Sequence, residues 1–300
     1  MSVTDGLRSN PLPEPRALLR LIKPVTWFPP MWAFLCGAVA SGAALGEQLG
    51  LVFLGLLLTG PLVCGMSQAA NDWCDRHVDA INEPDRPIPS GRVPGRWGLW
   101  VALAMSALAL MVAWPLGYWG FAATCLAVAA AWAYSAEPLR LKRSWLWGPG
   151  LVGLCYEGLP WITGAAILAA GTPSPEALIF ALIYALGAHG IMTLNDFKAL
   201  EGDLAMGIRS LPAVVGPAKA AWIACAVMTG AQGVVIALLF AWDRPWHAGA
   251  ICLLLLGQVA AMRVLMRDPK GKAPWYNGAG VTLYVAGMMI CAFAIRGMGA

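Results

Sequence analysis

The sequence predicts an all-α integral membrane protein: hydropathy and charge give nine transmembrane helices arranged as 4+4+1, with the N-terminus in the cytoplasm. Three observations lead there. Hydrophobic residues make up 59% of the chain and charged residues 12%, and the mean hydropathy is +0.66. A soluble domain carries about 25% charged residues, so this chain has too little charge to coat a water-facing particle. Nine apolar stretches approach the roughly 20 residues that cross a hydrocarbon core of about 30 Å. When they are threaded alternately, the basic residues fall almost wholly on one side. The same composition excludes a disordered chain, a fibrous repeat and a disulfide-stapled secreted domain.

The elements follow in order. Residues 1–26 read as a cytoplasmic segment, with Pro11, Pro13 and Pro15 and no apolar core of a signal peptide. They also lack the acid-poor, Ser- and Arg-rich character of an organelle transit peptide, so a bacterial inner membrane is expected. Residues 27–300 read as a single domain. Its first span, 27–46, is entered at Trp27; the second, 49–70, holds Pro61 and Gly65, which membrane helices tolerate where neighbours satisfy the freed backbone groups. A polar loop, 71–96, leads to spans 97–115 and 117–136, with Trp97, Trp114 and Trp119 near their ends as in an aromatic belt. Span 148–170 follows Trp147, and span 177–195, with Gly187 and Gly190, opens onto a second polar loop, 195–217. Spans 218–241, 247–266 and 276–295 complete the chain, bordered by Trp242, Trp246 and Trp275.

With the N-terminus inside, the cytoplasmic side receives Arg8, Arg16, Arg20 and Lys23, then Arg76, Arg86, Arg92 and Arg96, then Arg140, Lys142 and Arg143. It also receives Lys198, Arg209 and Lys219, and finally Arg263, Arg267, Lys270 and Lys272. These are 18 of the 20 Lys and Arg residues, leaving Arg244 and Arg296 outside. A miscounted span would scramble this positive-inside distribution. The eight cysteines never form C-x-x-C, and seven lie in apolar runs; they read as small buried hydrophobes.

The chain also repeats itself. Asn71-Asp72 ends the second span and Asn195-Asp196 the sixth, and at the same offset Asp79 aligns with Asp203 while Asp75 meets Ala199. Four helices separate the copies, so both motifs reach one face and the repeats are parallel. Shared sites of repeated halves lie at their interface.

Asp72, Asp75 and Asp79, at i, i+3 and i+7, fall on one face of a helix leaving the membrane. Three carboxylates there repel one another, and the helix C-terminus adds further unfavourable charge, which calls for a compensating cation. Hard oxygen donors favour Mg²⁺ over zinc; the plain alternative is a solvated acidic loop. Mg²⁺ takes one or two carboxylates and completes its shell with water and phosphate oxygens. Two acidic clusters therefore suggest two ions gripping a diphosphate. Arg76, Arg86, Arg92, Lys142, Arg143, Lys198 and Arg209 surround them, each also explicable as a topology residue; Arg86 and Lys142 stand beside Pro in ordered-looking loops. A diphosphate so held becomes a good leaving group. A prenyl chain fits a site opening into membrane, and Tyr134, Trp132 and Tyr156 are placed to stabilise its allylic cation or simply to pack.

These residues resemble a known family. Asn-Asp-x-x-Asp-x-x-x-Asp after the second span, with a second acidic motif after the sixth, resembles the UbiA superfamily of intramembrane prenyltransferases. The stretches Asn71 to Arg92, Ala133 to Lys142 and Asn195 to Pro212 look like its chlorophyll and bacteriochlorophyll synthase branch. The resemblance implies a UbiA-like bundle with a first Mg²⁺–diphosphate site at Asn71, Asp72, Asp75 and Asp79. It implies a second at Asp196 and Asp203, with Glu201 nearby and Ala199 where many relatives carry Asp. Catalytic roles fall on Asp72, Asp75, Asp196 and Tyr134, and diphosphate contacts on Asn71, Arg86, Lys142, Lys198 and Arg209. The implied acceptor is bacteriochlorophyllide a and the donor geranylgeranyl or phytyl diphosphate. Membrane lipid and pigment–protein assembly factors are the expected partners, and nucleic acid is not. The acceptor propionate is ionised and needs no general base, which fits the absence of a Ser-His-Asp or Cys-His arrangement.

Three lone residues have two readings each. Glu157, inside a span, could orient a pigment or hydrogen-bond within the bundle. His189, two turns before Asp196, could ligate a pigment magnesium or bond a neighbouring helix. His77 could support the first motif or face solvent. The competing classes are a UbiA relative prenylating quinone precursors or haem, a transporter with repeated helices, and a structural pigment-binding protein. Midplane sites and inverted repeats would mark the transporter, whereas these carboxylates stand at span ends.

Overall fold

The computed structural model describes residues 12–298, with backbone alone at residues 205 and 206; residues 1–11, including Arg8, lie outside it. Every named element is helical, and among the described residues the one extended pairing is an isolated bridge between Ser144 and Arg209. A short helix, α1 (Pro15–Leu21), buries Ala17 and Leu21. Next comes α2 (Phe28–Ala40), only 13 residues long, where a span over 27–46 was expected. It stops because Gly42 adopts φ 80°, a left-handed conformation that ends helices and suits glycine.

The third helix, α3 (Leu49–Asn82), runs for 34 residues. The predicted span 49–70 and the start of the predicted loop 71–96 are therefore one continuous helix, and the first acidic motif is helical throughout. Pro84 explains the end point, since the residue before a proline is pushed out of the helical region, and Glu83 sits at φ −139°, ψ 63°. Pro61 lies in a π-helical stretch, Leu58–Cys64, where the wider turn absorbs the hydrogen bond that proline cannot make.

Helices α4 (Trp97–Ala113) and α5 (Gly117–Ser135) are joined by a tight turn at Trp114–Leu116. The chain reverses there: Trp132 Nε1 donates to Ser106 Oγ at 3.1 Å, although residues 26 apart on an unbroken helix would stand about 39 Å apart at 1.5 Å per residue. Then come α6 (Trp147–Leu168), with a second π-helical stretch at Leu154–Gly158, and α7 (Pro175–Asn195), capped by Ser174. Two short helices, α8 (Leu200–Met206) and α9 (Leu211–Val215), precede α10 (Pro217–Ala241), α11 (Pro245–Leu265) and α12 (Pro269–Ala294). Seven segments among the described residues are long and apolar enough to cross a membrane; α4 and α5 together make one of them, and α2 is a shorter apolar helix.

Small residues set the helix spacing, as expected where lipid supplies no hydrophobic drive between helices. An added Cβ at Gly37 of α2 would stand 1.9 Å from Trp161 O, and one at Gly164 of α6 would stand 2.1 Å from Phe34 O. The backbones of α2 and α6 therefore touch. One buried cluster unites α2, α6, α7 and α10 to α12 around Trp161, Tyr184 and Tyr284. Another unites α1, α3, α4 and α5 around Leu58, Met66 and Ala109. A cavity lies at the seam between them.

Candidate active site

The cavity holds about 440 Å³ and draws its walls from α3, α5, α6, α7 and the segment after α7. That volume is within the usual range of small-molecule sites, about 300–1,000 Å³. At its polar end stand Asn71, Lys142, Asn195, Asp196, Lys198 and Asp203. Its other walls are apolar, with Val63, Ala127, Ala131, Leu151, Val152 and Cys155. The second motif thus lines this end with Asn195, Asp196 and Asp203, whereas of the first motif only Asn71 reaches the wall, and Asp72, Asp75 and Asp79 are not part of it.

The first motif is held in a net of cations. Asp72, only 1% exposed, accepts from Lys23 Nζ at 2.7 Å and from Arg86 Nη1 at 3.4 Å. Arg86 Nη1 also donates to Asp79 Oδ2 at 2.8 Å, while its other nitrogens fork onto Glu83. Asp75 turns away toward a different pair: Arg140 Nη2 donates at 2.9 Å, and Lys142 Nζ contacts the other oxygen. So the three carboxylates do not act as one face. Asp72 and Asp79 share Arg86, and Asp75 reaches the strand of chain after α5. The carboxylates beside Arg86 hold its guanidinium above the ordinary arginine value despite burial, whereas burial pulls the Lys142 ammonium below the ordinary lysine value against the attraction of Asp75.

Lys23 and Arg140 were counted in the sequence only as topology residues. Both adopt left-handed backbone conformations, φ 45° and φ 38°, which cost a non-glycine residue about 1–2 kcal/mol. Both place a cation on the first motif. Strained backbone tends to persist at functional sites, but no sequence pattern marks it here.

At the second motif α7 ends at Asn195, whose Oδ1 accepts from Asn277 Nδ2 of α12 at 2.7 Å. Asp196 begins the following turn and Asp203 is buried on α8. Lys198 is exposed at the cavity rim, and Glu201 is exposed and paired with Lys270. Tyr134 lines the cavity within electrostatic reach of Asp75, Asp196 and Asp203, and so bridges the motifs. Arg209 is exposed and contributes its backbone to the bridge with Ser144, which ties the segment after α5 to the segment after α8.

Other singled-out residues lie elsewhere. Glu157 is buried facing Cys36 of α2 and Tyr284 of α12, with Oε2 unpartnered, and is not part of the cavity wall. Its neighbours Cys155 and Tyr156 line the cavity instead. His189 packs by the backbone of Trp145 and Leu146, also off the wall. Trp132 donates to Ser106 beside the cluster of α1, α3, α4 and α5, and His77 is exposed.

Among the described residues no group of three or more His, Cys, Asp and Glu side chains is gathered closely enough to hold an ion alone. What is gathered is a set of hard oxygens. Asp72 Oδ2 is buried without a partner, Asn71 lines the cavity while its Nδ2 donates to Ser135, and Asp196 and Asp203 line it as well. This donor set fits Mg²⁺, which completes its shell from water and phosphate oxygens.

The UbiA prenyltransferase family matches residues 27–293. The chain belongs to that family. This prenyltransferase is 67% identical over 298 residues to the bacteriochlorophyll synthase 33 kDa chain of Cereibacter sphaeroides, covering 99% of each chain. It is 36% identical over 293 residues to the chloroplastic chlorophyll synthase of Oryza sativa, covering 92% of this chain and 76% of that one. The fold agrees with solved structures. A digeranylgeranylglyceryl phosphate synthase gives a TM-score of 0.73 at 19% identity over 93% of this chain and 98% of the other. A UbiA homolog from Archaeoglobus fulgidus bound to GPP and Mg²⁺ gives 0.67 at 20% identity over 93% and 99%. The transporter and structural-protein alternatives end with the family assignment: the protein is a prenyl-transferring enzyme of the membrane.

Proposed function

We propose that the prenyltransferase esterifies the propionate of bacteriochlorophyllide a with geranylgeranyl or phytyl diphosphate and releases diphosphate, in bacteriochlorophyll biosynthesis. The observation that carries this reading is a cavity with Asn71 of the first motif and Asn195, Asp196 and Asp203 of the second at one end and apolar walls beyond. The near-full-length similarity to bacteriochlorophyll synthases supports the acceptor.

In this reading the diphosphate lies among Asn71, Lys142, Lys198, Asp196 and Asp203, and the prenyl chain lies along Val63, Ala131, Leu151 and Val152. Asn71, Asp72 and Asp79 would hold one Mg²⁺ and Asp196 and Asp203 a second, which supply positive charge to the departing diphosphate. Lys142 adds a fixed cation beside that charge. Asp75 holds Lys142 and Arg140 at the rim. Tyr134, between the motifs, faces the bond that breaks. The apolar walls keep water from the allylic carbon. The carboxylate acceptor arrives already ionised, so the chain supplies position rather than a base.

The membrane arrangement completes the proposal. Counting α4 and α5 separately and including α2, the chain makes nine crossings in 4+4+1 order. The distribution of 18 of 20 basic residues supports a cytoplasmic N-terminus and a cytoplasmic-facing site in the bacterial inner membrane.

The test is esterification by purified protein in detergent with bacteriochlorophyllide a, geranylgeranyl diphosphate, and either Mg²⁺ or EDTA. Mg²⁺-dependent ester formation, lost in Asp72→Asn, is expected. Prenylation of 4-hydroxybenzoate or haem without pigment ester would overturn the acceptor.

A further inference from the structure

The cavity wall one turn below the carboxylates contains a polar group that no motif includes. Cys64, Gln68 and Asn71, at i, i+4 and i+7, all face the cavity from α3, as helical spacing requires. Gln68 therefore lies about one 5.4 Å turn from the Asn71–Asp72 level, toward the apolar end. There Gln68 Nε2 donates to the Tyr156 hydroxyl at 3.1 Å, and Cys64 Sγ lies 3.4 Å from the same oxygen and 3.3 Å from Thr26 O, its one S–H shared between them.

The setting of this hydroxyl is built rather than incidental. Cys64 closes the π-helical stretch of α3, and Tyr156 lies within that of α6. The two π-helical stretches among the described residues thus meet at the cavity wall, joined by this contact. Such wide turns cluster at functional sites. A phenol has two acceptor lone pairs and one proton. With Gln68 on one lone pair, and the single S–H of Cys64 divided between this oxygen and Thr26 O, the hydroxyl proton is left to be donated into the cavity.

We propose that Tyr156 is the docking hydroxyl for the acceptor's carboxylate. This rests on the acceptor reading given above. A diphosphate held at the Asn71–Asp72 level places its allylic C1 about one turn down, level with Tyr156. The Tyr156 O–H donates to one carboxylate oxygen and leaves the other to attack. That oxygen forms the new bond to C1 as the C1–O bond to diphosphate breaks, and the bonding pair leaves with the diphosphate. Tyr156 keeps its proton throughout. Gln68 is a positioning residue: it occupies a lone pair and so aims the hydroxyl.

The role predicts selectivity for a carboxylate, separable from any service of the aromatic ring. The test compares equilibrium binding of bacteriochlorophyllide a and of its propionate methyl ester to the detergent-purified protein without donor, followed by pigment fluorescence. A charge-assisted hydrogen bond of ordinary strength corresponds to roughly a tenfold preference or more. Wild-type protein is expected to prefer the free acid by about that factor. Tyr156→Phe, which keeps the ring, is expected to bind both forms alike, with ester affinity unchanged. Gln68→Met, which leaves the phenol in place but unaimed, is expected to lose part of the preference. An undiminished preference in Tyr156→Phe refutes the assignment, as does a wild type without preference. Turnover is measured in parallel to separate the two proposals. Pigment ester formed by wild type together with an unchanged preference in Tyr156→Phe sinks the docking role alone, whereas absence of any pigment ester and any pigment binding sinks the acceptor reading beneath it.

Discussion

Gly164→Ala forces a methyl group into the main chain of α2. The new Cβ would stand 2.1 Å from Phe34 O, and real Cβ contacts do not come within 3.0 Å. The helices must therefore separate locally by about 0.9 Å, or α6 must rotate. Neither neighbour is a flexible side-chain tip, because Phe34 O and Ala38 N are both backbone. Overpacking of this kind costs about 1–3 kcal/mol, and a backbone-to-backbone clash belongs at or above the upper end, roughly 3 kcal/mol. Gly37→Ala meets the same contact from the other side, with Trp161 O at 1.9 Å, so the double variant should lose less than the sum of the singles. Gly230→Ala on α10 supplies the opposite sign: no atom lies within 4 Å of its added Cβ, and alanine is the better helix former. Reversible unfolding in mixed micelles would measure all four proteins. Equal stability of Gly164→Ala and Gly230→Ala would refute the claim that glycine contact sets the α2–α6 distance.

Other outcomes follow from the site. Asp72→Asn should lower esterification at least 100-fold while the protein stays folded, since a charge-stabilising group lost from a reacting centre commonly has that effect; steady-state rates with varied Mg²⁺ would check it. Lys23→Ala leaves a carboxylate that is 1% exposed with only the 3.4 Å contact to Arg86. It should destabilise by roughly 2 kcal/mol, below the 3–5 of a fully buried broken pair because Lys23 is itself partly exposed, and adding Asp72→Asn should recover part of the loss in thermal unfolding. Lys142→Met should raise the KM for prenyl diphosphate about tenfold, the usual scale for losing a charged contact, and Lys142→Arg should raise it less. Glu157→Gln should leave the rate within about threefold, surface-like in effect, because Glu157 faces Cys36 and Tyr284 rather than the cavity.

Hydropathy and charge placed the spans well where each was bounded by Trp or by a basic loop, as at Trp147 and Trp242. They misjudged length where a local backbone event intervened. Gly42 shortens α2, whereas the continuation of α3 to Asn82 is what the placing of Asp72, Asp75 and Asp79 on a helix leaving the membrane led one to expect. The acidic motifs were legible because their spacing repeats at Asp196 and Asp203. Their cation partners were not, since Lys23 and Arg140 look like any positive-inside residue until the chain folds. The same holds for Gln68 and Tyr156, whose contact joins residues 88 apart in sequence with no motif at either end. Glu157 drew attention as an intramembrane acid, yet helix rotation turned its two preceding neighbours to the cavity and left it facing the bundle.

The brevity of α2 bears on the surrounding lipid. Thirteen helical residues rise about 20 Å, roughly a third short of a 30 Å hydrocarbon layer. A short span is accommodated by thinning of the bilayer or by drawing flanking residues inward. The flanks here suit both, with Trp27 at one end and Ser41, Gly42 and a turn at Leu45–Glu47 at the other. Eight of those thirteen residues are buried among neighbouring helices and Phe28 alone is exposed, so the bundle rather than the lipid covers most of α2, and any adjustment of the bilayer is confined to its Phe28 end.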